Sequence, residues 1–296
     1  MAVFASTRAQ RRPGNLPGPV GSHDYIVPFA IGNLEAVPRD FPRSDLPGFY
    51  CGVFLPGHNA GLFGRSSGPP RVLLLTHSTL VVLTHPSTGV PPIEIRLSDI
   101  SSLETGNMLL RGWMNIGAGT ITKRIEYNTR CYSPISDFLC ELRRAVFPRV
   151  NGGDIQWAHF GDEFDDVKFS RAGDSELDAE EIVGPSFLSL PRCHVRRVWM
   201  MHGKIWQPGD LFILTDRRFI WITDRYKGLR EPYGRVTRSV RISDIRSVCV
   251  RPSDGEATLN IRLRDCEWST AVNIELDAAA RGFTEVVTRA INPKPS

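Results

Sequence analysis

The side chains best placed to do chemistry are the arginines of the second half of the chain. Arg217 and Arg218 sit at the turn of FILTDRRFIWITD (Phe212–Asp224). Arg225, Lys227, Arg230 and Arg235 follow in and beyond the next loop, then Arg238, Arg241 and Arg246, with Tyr226 and Tyr233 interleaved. Guanidinium groups are planar forks that match phosphate and carboxylate, so such a cluster is suited to an anionic ligand. Aromatic rings beside cations also suit the interfacial layer of a membrane. The opposing reading is a solvated face. Asp216, Asp224, Glu231 and Asp244 lie among the arginines, and successive strand residues point to opposite sides.

Other chemistries have weaker support. No G-x-S-x-G motif, dinucleotide fingerprint or kinase signature is present, which leaves a catalytic assignment without a nucleophile or a phosphate cradle. The glycines of His58–Pro70 are followed by Gly-Pro-Pro and a strand, not by the Lys-Ser/Thr and helix of a P-loop. Among seven histidines, His77 and His85 flank one strand and are conceivable as a metal pair, although turn histidines are ordinary. The six cysteines (Cys51, Cys131, Cys140, Cys193, Cys249 and Cys266) form no CxxC and lie mostly in apolar patterns, which reads as buried thiols in a reducing compartment. Carboxylates crowd Asp162–Glu181 without the glycine-centred register of a calcium loop, and Phe160, Phe164 and Phe169 are interleaved. A partly helical acidic linker is favoured there over a metal site. No metal, cofactor or catalytic residue is expected.

The elements that position these residues are short strands. Phe212–Thr215 and Arg218–Thr223 form a hairpin rich in aromatic and β-branched residues. Leu73–His85 is an earlier copy of it, with Thr76 and Thr84 in place of Thr215 and Thr223. The match continues from Ile95–Leu103 to Val240–Val248, and from Phe138, Arg144 and Pro148 to Phe283, Arg289 and Pro293, after a six-residue insertion in the Tyr226–Gly234 loop. The chain is therefore a tandem repeat. Each copy reads as about seven antiparallel strands closed by an amphipathic helix, one ending before Pro148 and the other spanning Asp277–Ile291. The fold class is mainly β with α caps.

The segment Leu214-Thr215-Asp216-Arg217-Arg218-Phe219, followed by Ile242-Ser243-Asp244-Ile245 and Val248, resembles the hairpin and following strand of bacterial pleckstrin-homology-like and GRAM-like domains. The first copy departs at the arginines, where it carries His77, Ser78 and Thr79. The resemblance covers about 70–150 and 190–292, and implies two tandem barrels, each plugged by its helix. In that fold, loops at the open barrel end receive anionic head groups. The resemblance does not itself fix a ligand.

This gives four segments: a flexible tail over 1–22, a first domain over 23–150, an acidic linker over 151–189 and a second domain over 190–296. Leu80-Val81-Val82-Leu83 and Phe219-Ile220-Trp221-Ile222 do not alternate, so both faces of this strand need cover. The two domains are expected to pack on each other through Leu80, Val81, Val82, Phe219, Ile220 and Trp221, with homodimerisation through the same surface as the weaker option. The N-terminus, rich in Arg, Pro and Gly, has no apolar run and points to a cytoplasmic protein, peripheral to a membrane at most.

Two functions stay open, with an enzyme of unknown class as a distant third. One is a binding or scaffolding module that takes an anionic lipid or an acidic partner on Arg217, Arg218, Arg225, Lys227, Arg230 and Arg235. The other is a protein–protein adaptor without anion preference, using the surface around Trp199, Trp206 and Trp221. A net charge of +4, with acids interspersed, disfavours nucleic acid.

Overall fold

The computed structural model describes residues 27–43, 46–57, 68–108, 111–119, 121–129, 132–149, 167–178, 180–189, 192–198, 201–207, 209–224, 234–253, 256–264, 266–272 and 276–292. The first repeat holds β1 (Phe29–Ile31), β2 (Cys51–Leu55), β3 (Arg71–Leu75), β4 (Thr79–Thr84), β5 (Ile93–Arg96), β6 (Ile100–Met108), β7 (Arg111–Ala118), β8 (Ile121–Asn128) and helix α1 (Tyr132–Val146). A short helix, α2 (Val167–Glu176), precedes the second repeat. That repeat holds β9 (Val183–Ser189), β10 (Arg192–Val198), β11 (Met201–Gln207), β12 (Asp210–Thr215), β13 (Arg218–Thr223), β14 (Arg235–Arg241), β15 (Ile245–Ser253), β16 (Glu256–Leu263), β17 (Glu267–Val272) and helix α3 (Asp277–Ile291). Among the described residues no helix is long and apolar enough to cross a membrane.

The repeat is visible rung by rung. Leu80 pairs with Ile95 as Phe219 pairs with Val240, and Leu103 pairs with Ile116 as Val248 pairs with Ile261. A register shift interrupts β6 between Ile100 and Ser102 and β15 between Ile245 and Ser247. Local chemistry explains why the anchors recur. Thr76 Oγ1 accepts the N–H groups of Ser78 and Thr79, and Thr215 Oγ1 accepts those of Arg217 and Arg218, so each hydroxyl closes its two-residue turn. The Ser-Asp-Ile motif forms the same single 3-10 turn twice, Leu97–Asp99 and Ile242–Asp244, where the chain leaves one sheet for the next.

The strands do not close into two barrels. They form sheets in the orders β1-β2-β3-β4-β5, β8-β7-β6-β14-β13-β12-β9 and β15-β16-β17, with β10-β11 as a separate ribbon. The central sheet is shared: β14 pairs antiparallel with β6, from Arg235↔Asn107 to Val240↔Ser102. Strand β9, within the stretch read as linker, is the far edge of this sheet.

Both faces of β4 and β13 are buried, as the lack of alternation requires, but the expected cover is corrected. Leu80 and Val82 join the core under α1, where Ile135, Phe138, Leu139, Leu142 and Val146 recur at helical spacing. Val81 instead faces Ile31, Val37 and Phe41, from the proline-rich segment before β2. In the second repeat, Phe219 and Trp221 pack with Phe283 and Val287 of α3, while Ile220 and Ile222 meet Phe169 and Ala172 of α2. Each repeat thus covers its outer face with its own preceding segment. The repeats meet edge to edge, because β6 and β14 offer backbone hydrogen-bonding groups that a face-to-face contact would leave unused.

Candidate functional site

Arg217 and Arg218 do not present a free surface. Both lie at the start of β13 and are buried. Arg225, Lys227 and Arg230 lie outside the described residues.

Arg218 is placed inside the protein. It shares a sheet face with Ile220 and Ile222, the face α2 covers, and its side chain is 1% exposed. Its Nε and Nη2 donate to the two Glu181 oxygens at 2.9 Å each, Nη1 donates to Ser239 Oγ, and Nη2 also donates to Glu176 O. The guanidinium lies over Phe147, 5.7 Å from the ring centre. Burial alone would raise the Glu181 carboxyl. The Arg218 charge, with hydrogen bonds from Arg218, Thr215 and the Asp178 N–H, overcomes it and holds the pKa down to about 2. This pair is a structural lock, since its forks are spent on a carboxylate of the same chain.

The other acids of 176–181 also meet arginines, many of them across the repeats. Glu176 bridges Arg143 of α1 and Arg235 of β14, the latter at 3.3 Å. Asp178 takes both the Nε and Nη2 of Arg144, at 2.9 and 2.8 Å. Arg149 reaches Asp216 at 3.2 Å and donates to Glu180 O, while Arg217, largely buried, stands 3.7 Å from Glu180. The C-terminal half of this acidic stretch is therefore the counter-charge to the arginines of both repeats. Among the described residues no three His, Cys, Asp or Glu side chains converge to hold a metal ion.

The seam has a second set of contacts. Arg238 Nε donates to Glu104 Oε2 at 2.7 Å, Asn115 donates to the other oxygen, and the guanidinium stacks 4.6 Å from the Trp221 ring centre. Trp221, placed at the sequence level in an aromatic docking surface, is 3% exposed, and its Nε1 donates to buried Asp210. Trp199 lies outside the described residues, and Trp206 is placed only by register, opposite Cys193. Arg241 reaches across to donate to the carbonyls of Leu97, Ser98 and Val146, the last at the C-terminus of α1. Between α1, α2 and the seam lies a polar cavity lined by Thr105, Tyr127, Tyr132, Glu176, Arg235 and Thr237. Its volume of about 10 Å³ is the size of one water molecule, far below a substrate pocket. Burial raises the hydroxyl pKa of both tyrosines.

The remaining candidates are ordinary. His77 stacks on Tyr50, whereas His85 is buried with its two ring nitrogens on Ser87 and Asp40, so the two histidines are not a metal pair. Burial pushes the Cys51 thiol up to about 11 and raises Cys140, but Cys266 is exposed.

A different group of arginines does face outward. Arg246 and Arg251 on β15, Arg262 on β16 and Arg264 just after it are exposed, and none of their side chains forms an ion pair or hydrogen bond among the described residues. Only Arg246 drew attention in the sequence. The strand alternation of ATLNIRLR (Ala257–Arg264), with Leu259, Ile261 and Leu263 inward, is the signal that places Arg262 and Arg264 outside.

No protein-family model matches the chain, and no curated protein is significantly similar to it.

Proposed function

We propose that the chain is a non-catalytic binding and scaffolding module, two tandem pleckstrin-homology-like lobes fused through a shared sheet, that recognises anionic partners through arginines of the second repeat. The observation that carries this reading is the division of those arginines. Arg217, Arg218, Arg235, Arg238 and Arg241 are engaged within the chain, while Arg246, Arg251, Arg262 and Arg264 are exposed without partners among the described residues. Arg225, Lys227 and Arg230 extend the candidate set by sequence. The strand order of each repeat supports the lobe assignment: an antiparallel run of five strands in the first and four (β9, β12, β13 and β14) in the second, a 3-10 corner, a three-stranded meander and a closing helix. The protein acts in the cytoplasm, and any membrane contact is peripheral. Burial of Trp221 weakens the rival adaptor surface.

The test is co-sedimentation of the full chain with anionic and neutral vesicles, and with acidic and neutral polypeptide beads, at two salt concentrations. Salt-sensitive capture by at least one anionic matrix is expected, and it is expected to drop when Arg246, Arg251, Arg262 and Arg264 are changed to Ser. Equal capture by neutral matrices, or none by any anionic one, would reject the reading.

A further inference from the structure

The seam is a relation between repeats, so the same edge can be followed to its second occurrence. β6 uses one edge for β7 and gives the other to β14. Its counterpart β15 pairs with β16 in the same register and with the same shift, yet it is the last strand of its sheet. Along its other edge no backbone group of β15 makes a hydrogen bond among the described residues. A row of unpaired N–H and C=O groups is a template for a further strand.

The charges around this edge differ between the copies in one direction. Arg246, Arg251, Arg262 and Arg264 stand where the first repeat has Ser101, Gly106, Gly117 and Gly119. Ser247 pairs with Arg262 and Ile245 with Leu263, which brings Arg246, Arg262 and Arg264 into one cross-strand neighbourhood. Like charges so close on a sheet repel one another, and bound anions relieve this. In the seam the receiving strand is acidic and the arriving strand basic, Glu104 meeting Arg238. At β15 Cys249 replaces Glu104 and the flanking charges are positive, so the complementary strand is acidic.

A second copy of this chain is a poor occupant. By repeat logic it would offer β5, the counterpart of β14. Pro91 and Pro92 occupy the positions of Val236 and Thr237, which removes two N–H donors and leaves only Ile93–Arg96 as strand. Arg96, the counterpart of Arg241, would bring another cation towards Arg246.

We propose that the open edge of β15 receives an extended acidic segment of a partner protein. The segment adds as an antiparallel strand, its backbone pairing with β15 as β14 pairs with β6, and its alternate carboxylates meet the four exposed arginines. This rests on the reading that the second repeat binds anionic partners, and it names the partner's chemistry and the docking edge.

The experiment uses the full chain and fluorescein-labelled nine-residue peptides. One alternates Glu with Val and Thr, a second has the same composition apart from two central prolines, and a third carries Lys for Glu. Anisotropy reads affinity, and hydrogen exchange reads protection of the β15 amides. The acidic peptide is expected to bind at least tenfold tighter than the proline or lysine peptide and to protect β15. Arg246→Ser/Arg251→Ser, checked for an unchanged melting temperature, is expected to lose that binding. Equal binding of the two acidic peptides without β15 protection would overturn strand addition but leave the anionic reading standing. Failure of every acidic peptide, with the anionic matrices above still capturing the chain, would likewise reject strand addition alone; failure of both would reject both readings. Concentration-dependent self-association that protects β15 would overturn it in favour of a second copy.

Discussion

Arg218 and Glu181 face each other at 2.9 Å with each side chain 1% exposed, and they close the connection between the repeats onto the hairpin of the second. Removing one partner strands a buried charge, whereas removing both need not. Arg218→Met is therefore expected to cost about 3–5 kcal/mol of unfolding free energy, and Arg218→Met/Glu181→Leu to recover most of that loss. Urea denaturation of the two variants tests this. A double variant no more stable than the single one would show that the pair is not the unit.

The same pair sets an acid limit. The Glu181 carboxyl is held at about 2, below its ordinary 4.5, so the folded state binds its proton less readily than the unfolded chain. Its stabilisation is complete above about pH 4.5 and is lost as pH falls towards 2, about 3 kcal/mol over that window. Stability measured between pH 5 and 2.5 is expected to fall more steeply in the wild type than in Arg218→Met/Glu181→Leu. Parallel curves would count against the assignment.

Arg241 is the clasp of the seam, because its three carbonyl contacts all belong to the other repeat. Arg241→Ala is expected to cost about 2 kcal/mol. It should also speed hydrogen exchange in β6 and β14 while leaving β2–β4 protected. Uniform acceleration across the chain would mean that Arg241 serves global stability instead.

Thiol reactivity checks the burial pattern. At pH 8 a maleimide is expected to modify Cys266 well before Cys51, whose buried thiol has a pKa near 11. Mapping the first adduct by peptide mass spectrometry decides it.

Much of the fold was legible in the sequence, and the reasons are local. Threonine hydroxyls that close a turn, a Ser-Asp-Ile corner and helical apolar spacing act within a few residues, so the equivalence of Thr76 and Thr215, or of Phe138 and Phe283, is written in short stretches of chain. The seam could not. Which strand edge meets which depends on residues as far apart as Glu104 and Arg238, and no period in the sequence encodes that choice. The burial of Arg218 escaped the sequence reading for a related reason. Arg217 and Arg218 belong to a run of cations along the chain, but the fold turns both inward, towards Glu180 and Glu181. Strand parity, which puts Arg218 on the side of Ile220 and Ile222, was the available clue to its burial.

The ladder from Arg235↔Asn107 to Val240↔Ser102 has a mechanical consequence. Rotation of one lobe against the other must break backbone rungs in succession, so the molecule resists hinging and acts as a ruler. Surfaces carried by the two repeats keep a set spacing. A bivalent partner gains avidity only when its own two contact points are separated by that span.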